Sequence, residues 1–256
     1  MYGTDVEAKL KMVCTAMRLG HRPGQLLKLE PSQIEALMHR PGHIGQIPGK
    51  NETLVPDHSL LDAVRAFRSE ALLKMFGSRV ARVGLLRFVQ EDAKSILDSI
   101  GAAWSSGGIE IEHEHFFSEV LRDFLSSKWR SLNGGIDGPC VVCGTFPGEQ
   151  HGLGLQFVAC CLVANGYKVL FLGTSLPAAS IAATVRDHGA VAVAISISSF
   201  SDEATNKSML RELRRTLPKG TELWTGGKGS NNLQLGDVSF KDLKTFSEVL
   251  AGRHQA

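Results

Sequence analysis

Short apolar runs and longer helical patterns alternate along the C-terminal half of the chain. Apolar runs of strand length lie at residues 139–143, 191–195 and 222–225, each next to small or turn-forming residues. A longer apolar stretch from Gly154 to Ala164 follows the first run, and its length favours a helix. Strands that alternate with helices are typical of a doubly wound parallel sheet, so we predict an α/β domain here.

The residues before this half carry helical patterns. Residues 58–132 predict a compact antiparallel four-helix bundle, with breaks near Gly77-Ser78 and at Ser105–Gly108. A glycine-rich linker at 134–138 separates the bundle from the α/β domain. We therefore predict three segments, namely a helical segment with a linker at 1–50, the bundle at 51–133 and the α/β domain at 134–256.

Composition narrows the class of protein. The chain has 256 residues and a formal net charge of +2, which gives no support for broad nucleic-acid binding. No apolar run approaches the roughly 18 residues that a membrane span needs, and the N-terminus lacks the regions of a signal peptide. We expect a cytoplasmic protein without membrane contact. Four of the five cysteines fall on a predicted strand or helix, at Cys140, Cys143, Cys160 and Cys161, which favours buried free thiols.

Glu149, His151 and Gly154 form an E-x-H-x-x-G pattern on the predicted turn between a strand and a helix. In an open α/β sheet such turns lie at the carboxyl ends of the strands, where ligands bind. An imidazole there can bind a metal while an acid holds its other nitrogen. Two further features end later strands, Ser196-Ile-Ser198 and Gly226-Gly227. Taken singly, these residues are also compatible with helix caps and strand-end turns.

The order of these motifs resembles the cobalamin-binding domain of methionine synthases, corrinoid methyl carriers and mutases, which has a Rossmann-like (flavodoxin-like) fold. The resemblance implies that His151 is the lower cobalt ligand and that Glu149 is its hydrogen-bonding partner. It also implies that the cofactor's nucleotide tail enters a crevice in the domain. The other residues expected to bind the cofactor are Gly154, Ser175, Leu176, Ser196, Ser198, Gly226 and Gly227. The chain departs from the family pattern at Glu149, which is usually aspartate, and at Ser198, which is usually leucine.

Trp104 is followed, after nine intervening residues, by Glu114-His115. By helical spacing Trp104 is also compatible with a core residue, and Glu114 with an acid favoured at a helix N-terminus. The arrangement resembles the W-x9-EH motif of light-sensing cobalamin regulators of the CarH and LitR type, in which a four-helix bundle lies over the upper cobalt face. The resemblance implies that Trp104 packs against the adenosyl group of adenosylcobalamin, that Glu114 hydrogen-bonds it and that His115 completes the motif. Ser105 stands where one family member has a histidine that captures cobalt after light.

The segment from Asp5 to Leu29 resembles the rear part of a MerR-type DNA-binding domain, without the leading helix-turn-helix. This segment is therefore compatible with two roles, a shortened DNA-binding domain or a helical dimerisation or linker segment. The resemblances together imply a light-sensing regulator of transcription that is not an enzyme, with cobalamin as partner and a homo-oligomer in the dark. Two alternatives remain, a corrinoid methyl carrier for a methyltransferase and a cobalamin sensor that also holds a bilin.

Overall fold

The computed structural model describes residues 9, 12–13, 26, 28–38, 58–230, 233 and 235–253. The chain divides into two compact units, Met1–Leu72 with Lys94–Glu119, and Leu73–Ala93 with Val120–Ala256. Most of the predicted MerR-like segment, the linker that follows it and Cys14 lie outside the described residues. No helix in the described ranges is both long enough and apolar enough to cross a membrane.

Helices account for all regular structure described before residue 134. Their bounds are α1 Pro31–Met38, α2 His58–Arg65, α3 Ser69–Val83, α4 Leu85–Arg87, a π-helical turn Phe88–Asp92, α5 Ala93–Ser106 and α6 Ile111–Asn133. The predicted break at Ser105–Gly108 is confirmed, because α5 ends at Ser106 and α6 begins at Ile111. The break predicted near Gly77-Ser78 is wrong, since α3 runs through both residues. A glycine is tolerated inside a helix, and the interruption falls instead at Gly84, where φ is +82°.

The C-terminal half forms a parallel sheet of five strands in the order β2-β1-β3-β4-β5 among the described residues. The strands are β1 Cys140–Gly144, β2 Lys168–Gly173, β3 Ala192–Ser196, β4 Glu222–Gly226 and β5 Val238–Phe240. Helices α7 Leu153–Ala164, α8 Ala178–Asp187, α9 Glu203–Thr216 and α10 Leu243–Arg253 connect or follow them, with a 3₁₀ turn at Lys228–Ser230. The predicted fold class, helices followed by a doubly wound parallel sheet, is confirmed.

Side chains alternate between the two faces of the sheet, and this alternation places the candidate site. Val193 and Ile195 of β3 belong to a buried cluster with residues of α8 and α9, including Ile181, Leu210 and Leu213. Ala194 and Ser196 therefore point to the opposite face, where α7 packs with α10. The predicted serine of β3 thus lies on the α7 side of the sheet.

The described cysteines are free thiols, as predicted. Burial raises the pKa of the Cys143 and Cys160 thiols and raises that of Cys161 to about 12. We expect these three thiols to stay protonated and to resist alkylation by iodoacetamide in the native protein near neutral pH. Peptide mass mapping checks this, with the urea-unfolded chain as the control in which all three react. Modification of any of them at the same rate in native and unfolded protein would contradict the assignment.

Candidate functional site

The strand order places a crevice between β1 and β3. The chain leaves β1 towards β2 on one side and leaves β3 towards β4 on the other, so the loops that follow these neighbouring strands diverge. His151 lies in the loop after β1, and Ser198 lies in the loop after β3. The two motif positions, far apart in sequence, thereby meet at the topological switch point of the sheet.

The Glu149 carboxylate is buried, with 3% of its side chain exposed, and it joins these two loops. One oxygen, Oε1, lies 2.7 Å from Nδ1 of His151 and accepts the backbone N–H of His151 at 2.9 Å. The other, Oε2, accepts the backbone N–H of Ser198 at 2.8 Å. Both oxygens therefore have hydrogen-bond partners, and the carboxylate holds the imidazole to the two loops.

These hydrogen bonds determine the charge of Glu149. Burial by itself raises the pKa of the carboxyl, but the hydrogen bonds from His151 and Ser198 outweigh it and lower the pKa to about 2. The group is a carboxylate throughout the neutral range. A carboxylate at Nδ1 holds a proton on that nitrogen. The other nitrogen, Nε2, then carries the lone pair and is a better electron-pair donor to a metal.

His151 is suited to bind a single metal ion through Nε2. Its side chain is 60% exposed, although Glu149 holds its Nδ1 atom. The Ser198 hydroxyl lies 3.4 Å from the same nitrogen. Across the described ranges, no group of three or more histidine, cysteine or acidic side chains converges as in a metal centre built by protein alone. A histidine held in this way by a carboxylate can serve as a ligand to a metal.

Thr145, a residue that the sequence motifs do not include, ties the predicted Ser175-Leu176 to this loop. Its buried hydroxyl donates to the backbone carbonyl of Glu149 at 3.0 Å and accepts the backbone N–H of Ser175 at 2.9 Å. Its backbone carbonyl accepts the N–H of Leu176 at 2.9 Å. Ser175 has φ of +62°, and its hydroxyl accepts the N–H of Gly148 at 3.3 Å. The structure thus joins the loops after β1 and β2.

A cavity of about 180 Å³ lies on the α7 side of the sheet, and four predicted residues line it, namely Gly154, Ser196, Gly226 and Gly227. The rest of its wall is largely apolar, with Leu155, Phe157, Val158, Trp224, Phe240 and Phe246. Sequence analysis missed these side chains, because strand and helix patterns alone do not show which apolar residues border a space rather than fill a core.

Gly227 shows why a glycine is needed in the wall of this cavity. Its φ is +97°, and a Cβ atom there would lie 2.3 Å from the carbonyl oxygen of Ile197. Only glycine lets the loop after β4 approach the loop after β3 this closely. The predicted glycine pair therefore shapes the site through its backbone.

The predicted residues Trp104, Glu114 and His115 belong to the other compact unit. Trp104 is half-buried near the end of α5, and Glu114 lies in the first turn of α6. Glu114 accepts a hydrogen bond from the Ser118 hydroxyl at 2.7 Å, and its other oxygen lies 3.7 Å from Nε2 of the exposed His115.

The loop between Trp104 and Glu114 is held in place by residues at the end of α2 and just after it. The guanidinium of Arg65 donates to the Gly108 carbonyl through Nε at 3.1 Å and Nη2 at 3.0 Å. Phe67, with φ of +50°, stacks on His113 with ring centroids 4.8 Å apart. The spacing between Trp104 and Glu114 is thus fixed by packing within this unit.

Comparisons with known proteins agree with the motifs. No family model matches the chain. Over 176 residues it is 27% identical to the HTH-type transcriptional repressor CarH of Myxococcus xanthus. The matched region covers 69% of this chain and 58% of CarH. The resemblance to CarH-type proteins predicted from the sequence is confirmed. The chain spans a little over half the length of CarH.

Two corrinoid proteins also match the chain, one by sequence and one by structure. The chain is 23% identical over 149 residues to the corrinoid protein DSY3155 of Desulfitobacterium hafniense, covering 56% of this chain and 69% of that one. The structure of the Methanosarcina barkeri monomethylamine corrinoid protein matches with a TM-score of 0.59 at 14% identity, over 76% of this chain and 96% of that one. At this identity the structural likeness supports the fold alone.

Proposed function

We propose that the chain binds a cobalamin, with His151 as the lower cobalt ligand and the nucleotide tail in the cavity beside α7. One observation carries the proposal. Motifs that lie far apart in sequence converge, so that an imidazole held by a buried carboxylate stands at the same sheet edge as an apolar cavity. The similarity to CarH and to a corrinoid protein supports the same ligand.

The chemistry of the site fits this cofactor. A corrin supplies the equatorial ligands of its cobalt, so the protein needs to provide only one axial donor, and the structure offers His151. An aromatic tail base suits a cavity walled by Phe157, Trp224 and Phe246. Ser196 is positioned to meet a polar atom of that tail, since its side chain points to the α7 face.

The protein's own part in binding is orientation and exclusion of water. Glu149 keeps Nδ1 engaged, so that His151 presents Nε2 as the donor. The apolar cavity wall removes the tail base from water, which is favourable in proportion to the apolar area buried. Gly226 and Gly227 line this cavity, and we propose that the tail packs against their backbone.

We propose further that the protein is a light-sensing regulator that prefers adenosylcobalamin. When bound, that cofactor supplies a cobalt–carbon bond that light breaks. Trp104 and Glu114 are proposed to select the upper ligand, Trp104 through its aromatic face and Glu114 through its carboxylate. A ligand shifts a conformational equilibrium only through contacts that differ between states, and these two side chains are the proposed contacts.

Regulation of transcription, a homo-oligomer in the dark and a cytoplasmic location are part of this proposal. The match to a protein described as a transcriptional repressor supports the first of them.

A corrinoid methyl carrier is the second candidate function, and the similarity to DSY3155 favours it. A carrier would serve a methyltransferase without being catalytic itself, and it would have no use for Glu114 against an adenosyl group. A cobalamin sensor that also holds a bilin is distinguished by its absorption.

The test is to load purified protein with adenosylcobalamin in the dark, then record its absorption spectrum and hydrodynamic size before and after green light. We expect the spectrum to change and the size to change with it. An unchanged size after complete photolysis would contradict the sensor. Equal uptake of methyl- and adenosylcobalamin with no change in size would support the carrier, and a red-absorbing band in protein purified from cells would support the bilin.

Substituting Glu149 tests the partner of the lower ligand. Glu149→Gln would place an amide NH2 either opposite the Ser198 N–H, where one hydrogen bond is lost, or opposite the backbone N–H and Nδ1 of His151, where two contacts are disrupted. We expect cobalamin to bind about 10–100-fold more weakly, the usual effect of losing a residue behind a metal ligand. Equilibrium titration measures this, with Gln150→Ala on the same loop as control. Equal affinity of Glu149→Gln and wild type would contradict the role.

A further inference from the structure

Phe200 lies against the imidazole of His151. The two rings are stacked, with centroids 5.2 Å apart and an interplanar angle of 27°. The Phe200 residue is 40% exposed, so this ring contact lies at the surface of the site. The motifs of the sequence do not include this residue.

The loop that carries Phe200 is held by its own hydrogen bonds. The Ser198 hydroxyl accepts the backbone N–H of Phe200 at 3.2 Å, while the Ser198 backbone N–H binds Glu149. Ser201 donates its hydroxyl to the Ser198 carbonyl at 2.8 Å and accepts from the buried Asn206 amide at 2.9 Å. The backbone of Phe200 is therefore held by hydrogen bonds within the segment from β3 to α9.

The contacts of Glu149 and of the Ser198 hydroxyl with the imidazole both lie at Nδ1, on one edge of the ring. Contacts at one ring atom constrain its position more strongly than they constrain the tilt of the ring plane. A second ring stacked on its face removes this tilt, because the movement would drive the imidazole into the aromatic carbons. The Ser198 hydroxyl contacts both residues of this pair. It accepts the backbone N–H of Phe200 and lies 3.4 Å from Nδ1 of His151.

We propose that Phe200 is a positioning residue for the lower ligand, which keeps the plane of His151 fixed so that Nε2 points in one direction. This rests on the proposed role of His151. Stacking between two aromatic rings typically changes an equilibrium constant by a factor of about two to ten. That factor is the expected contribution of Phe200 to the His151–cobalt bond.

A double-mutant cycle tests the proposal with hydroxocobalamin as the probe. Dissociation constants are measured for wild type, Phe200→Ala, His151→Ala and the double variant. We expect Phe200→Ala to weaken binding about two- to tenfold when His151 is present and to have no effect in the His151→Ala background. The same factor in both backgrounds would overturn the proposal and assign Phe200 to direct contact with the corrin or to loop stability.

Two further variants separate positioning from folding. Phe200→Tyr keeps the aromatic face and should bind as wild type, whereas Phe200→Leu keeps apolar volume without that face and should behave as Phe200→Ala. Ser199→Ala, exposed on the same loop, is the control and should bind as wild type. Wild-type binding by Phe200→Leu would overturn the role of the ring. Equal affinities of wild type and His151→Ala would instead contradict the lower-ligand proposal itself.

Discussion

His151→Ala is expected to remove the nitrogen donor from the lower face of the bound cobalamin and to shift its absorption towards the form without a lower base. Among the described residues, His151 is the one histidine at the switch point whose ring is held by a buried carboxylate. We expect the loss of this ring to weaken cobalamin binding by more than the factor of about 10–100 that is typical of losing a partner behind a metal ligand. Residual binding should persist, because the cavity beside α7 is unchanged.

A matched histidine elsewhere in the same domain provides the control. His188 is exposed at the end of α8 and shares no described contact with the candidate site. His188→Ala should therefore leave the spectrum and affinity as in wild type. A His151→Ala protein with the wild-type spectrum would contradict the assignment of the lower ligand.

Trp104→Ala is expected to separate the affinity for cobalamin from the preference for its upper ligand. An aromatic face against adenine contributes about 1–3 kcal/mol by analogy with stacking on nucleic-acid bases, or about one to two decades in affinity. The variant should lose that much of its preference for adenosylcobalamin over hydroxocobalamin. Binding of hydroxocobalamin should change little, since His151 and the cavity are untouched.

Melting temperatures with each cobalamin, in darkness and after light, measure the effect. If Trp104 were only a core residue, its truncation would cost roughly 3–5 kcal/mol of stability whichever cobalamin is bound. Trp129 is the comparison, because it is 1% exposed and its indole N–H donates to Gln156 at 2.6 Å. Trp129→Ala should lower all melting temperatures equally. The same equal loss for Trp104→Ala would return Trp104 to the core.

The sequence could predict the parts of the site that depend on strand ends. Apolar runs located β1, β3 and β4, and because parallel strands share one carboxyl edge, the residues that follow each run had to meet there. The structure places Glu149, His151 and Ser198 together for this reason. The roles of Trp104 and Glu114 remain predictions.

Other features depend on three-dimensional packing that a linear pattern does not contain. Phe200 and Thr145 act across loops, and only the geometry of two loops at once shows that one stacks on His151 and the other joins Glu149 to Ser175. Trp224 is an ordinary strand residue in sequence, yet it borders the cavity. Gly77 misled the helix prediction, because the roughly 1 kcal/mol that one glycine costs a helix did not end the helix Ser69–Val83.

The lower ligand itself is tested most directly by electron paramagnetic resonance of the protein loaded with cob(II)alamin. The protein is prepared twice, with natural histidine and with histidine labelled uniformly with ¹⁵N. A histidine nitrogen on cobalt splits the signal into triplets with ¹⁴N and into doublets with ¹⁵N. We expect the triplets to become doublets on labelling and the splitting to vanish in His151→Ala. Triplets that persist in the labelled protein would show that the donor nitrogen comes from the cofactor's own tail, and would contradict binding through His151.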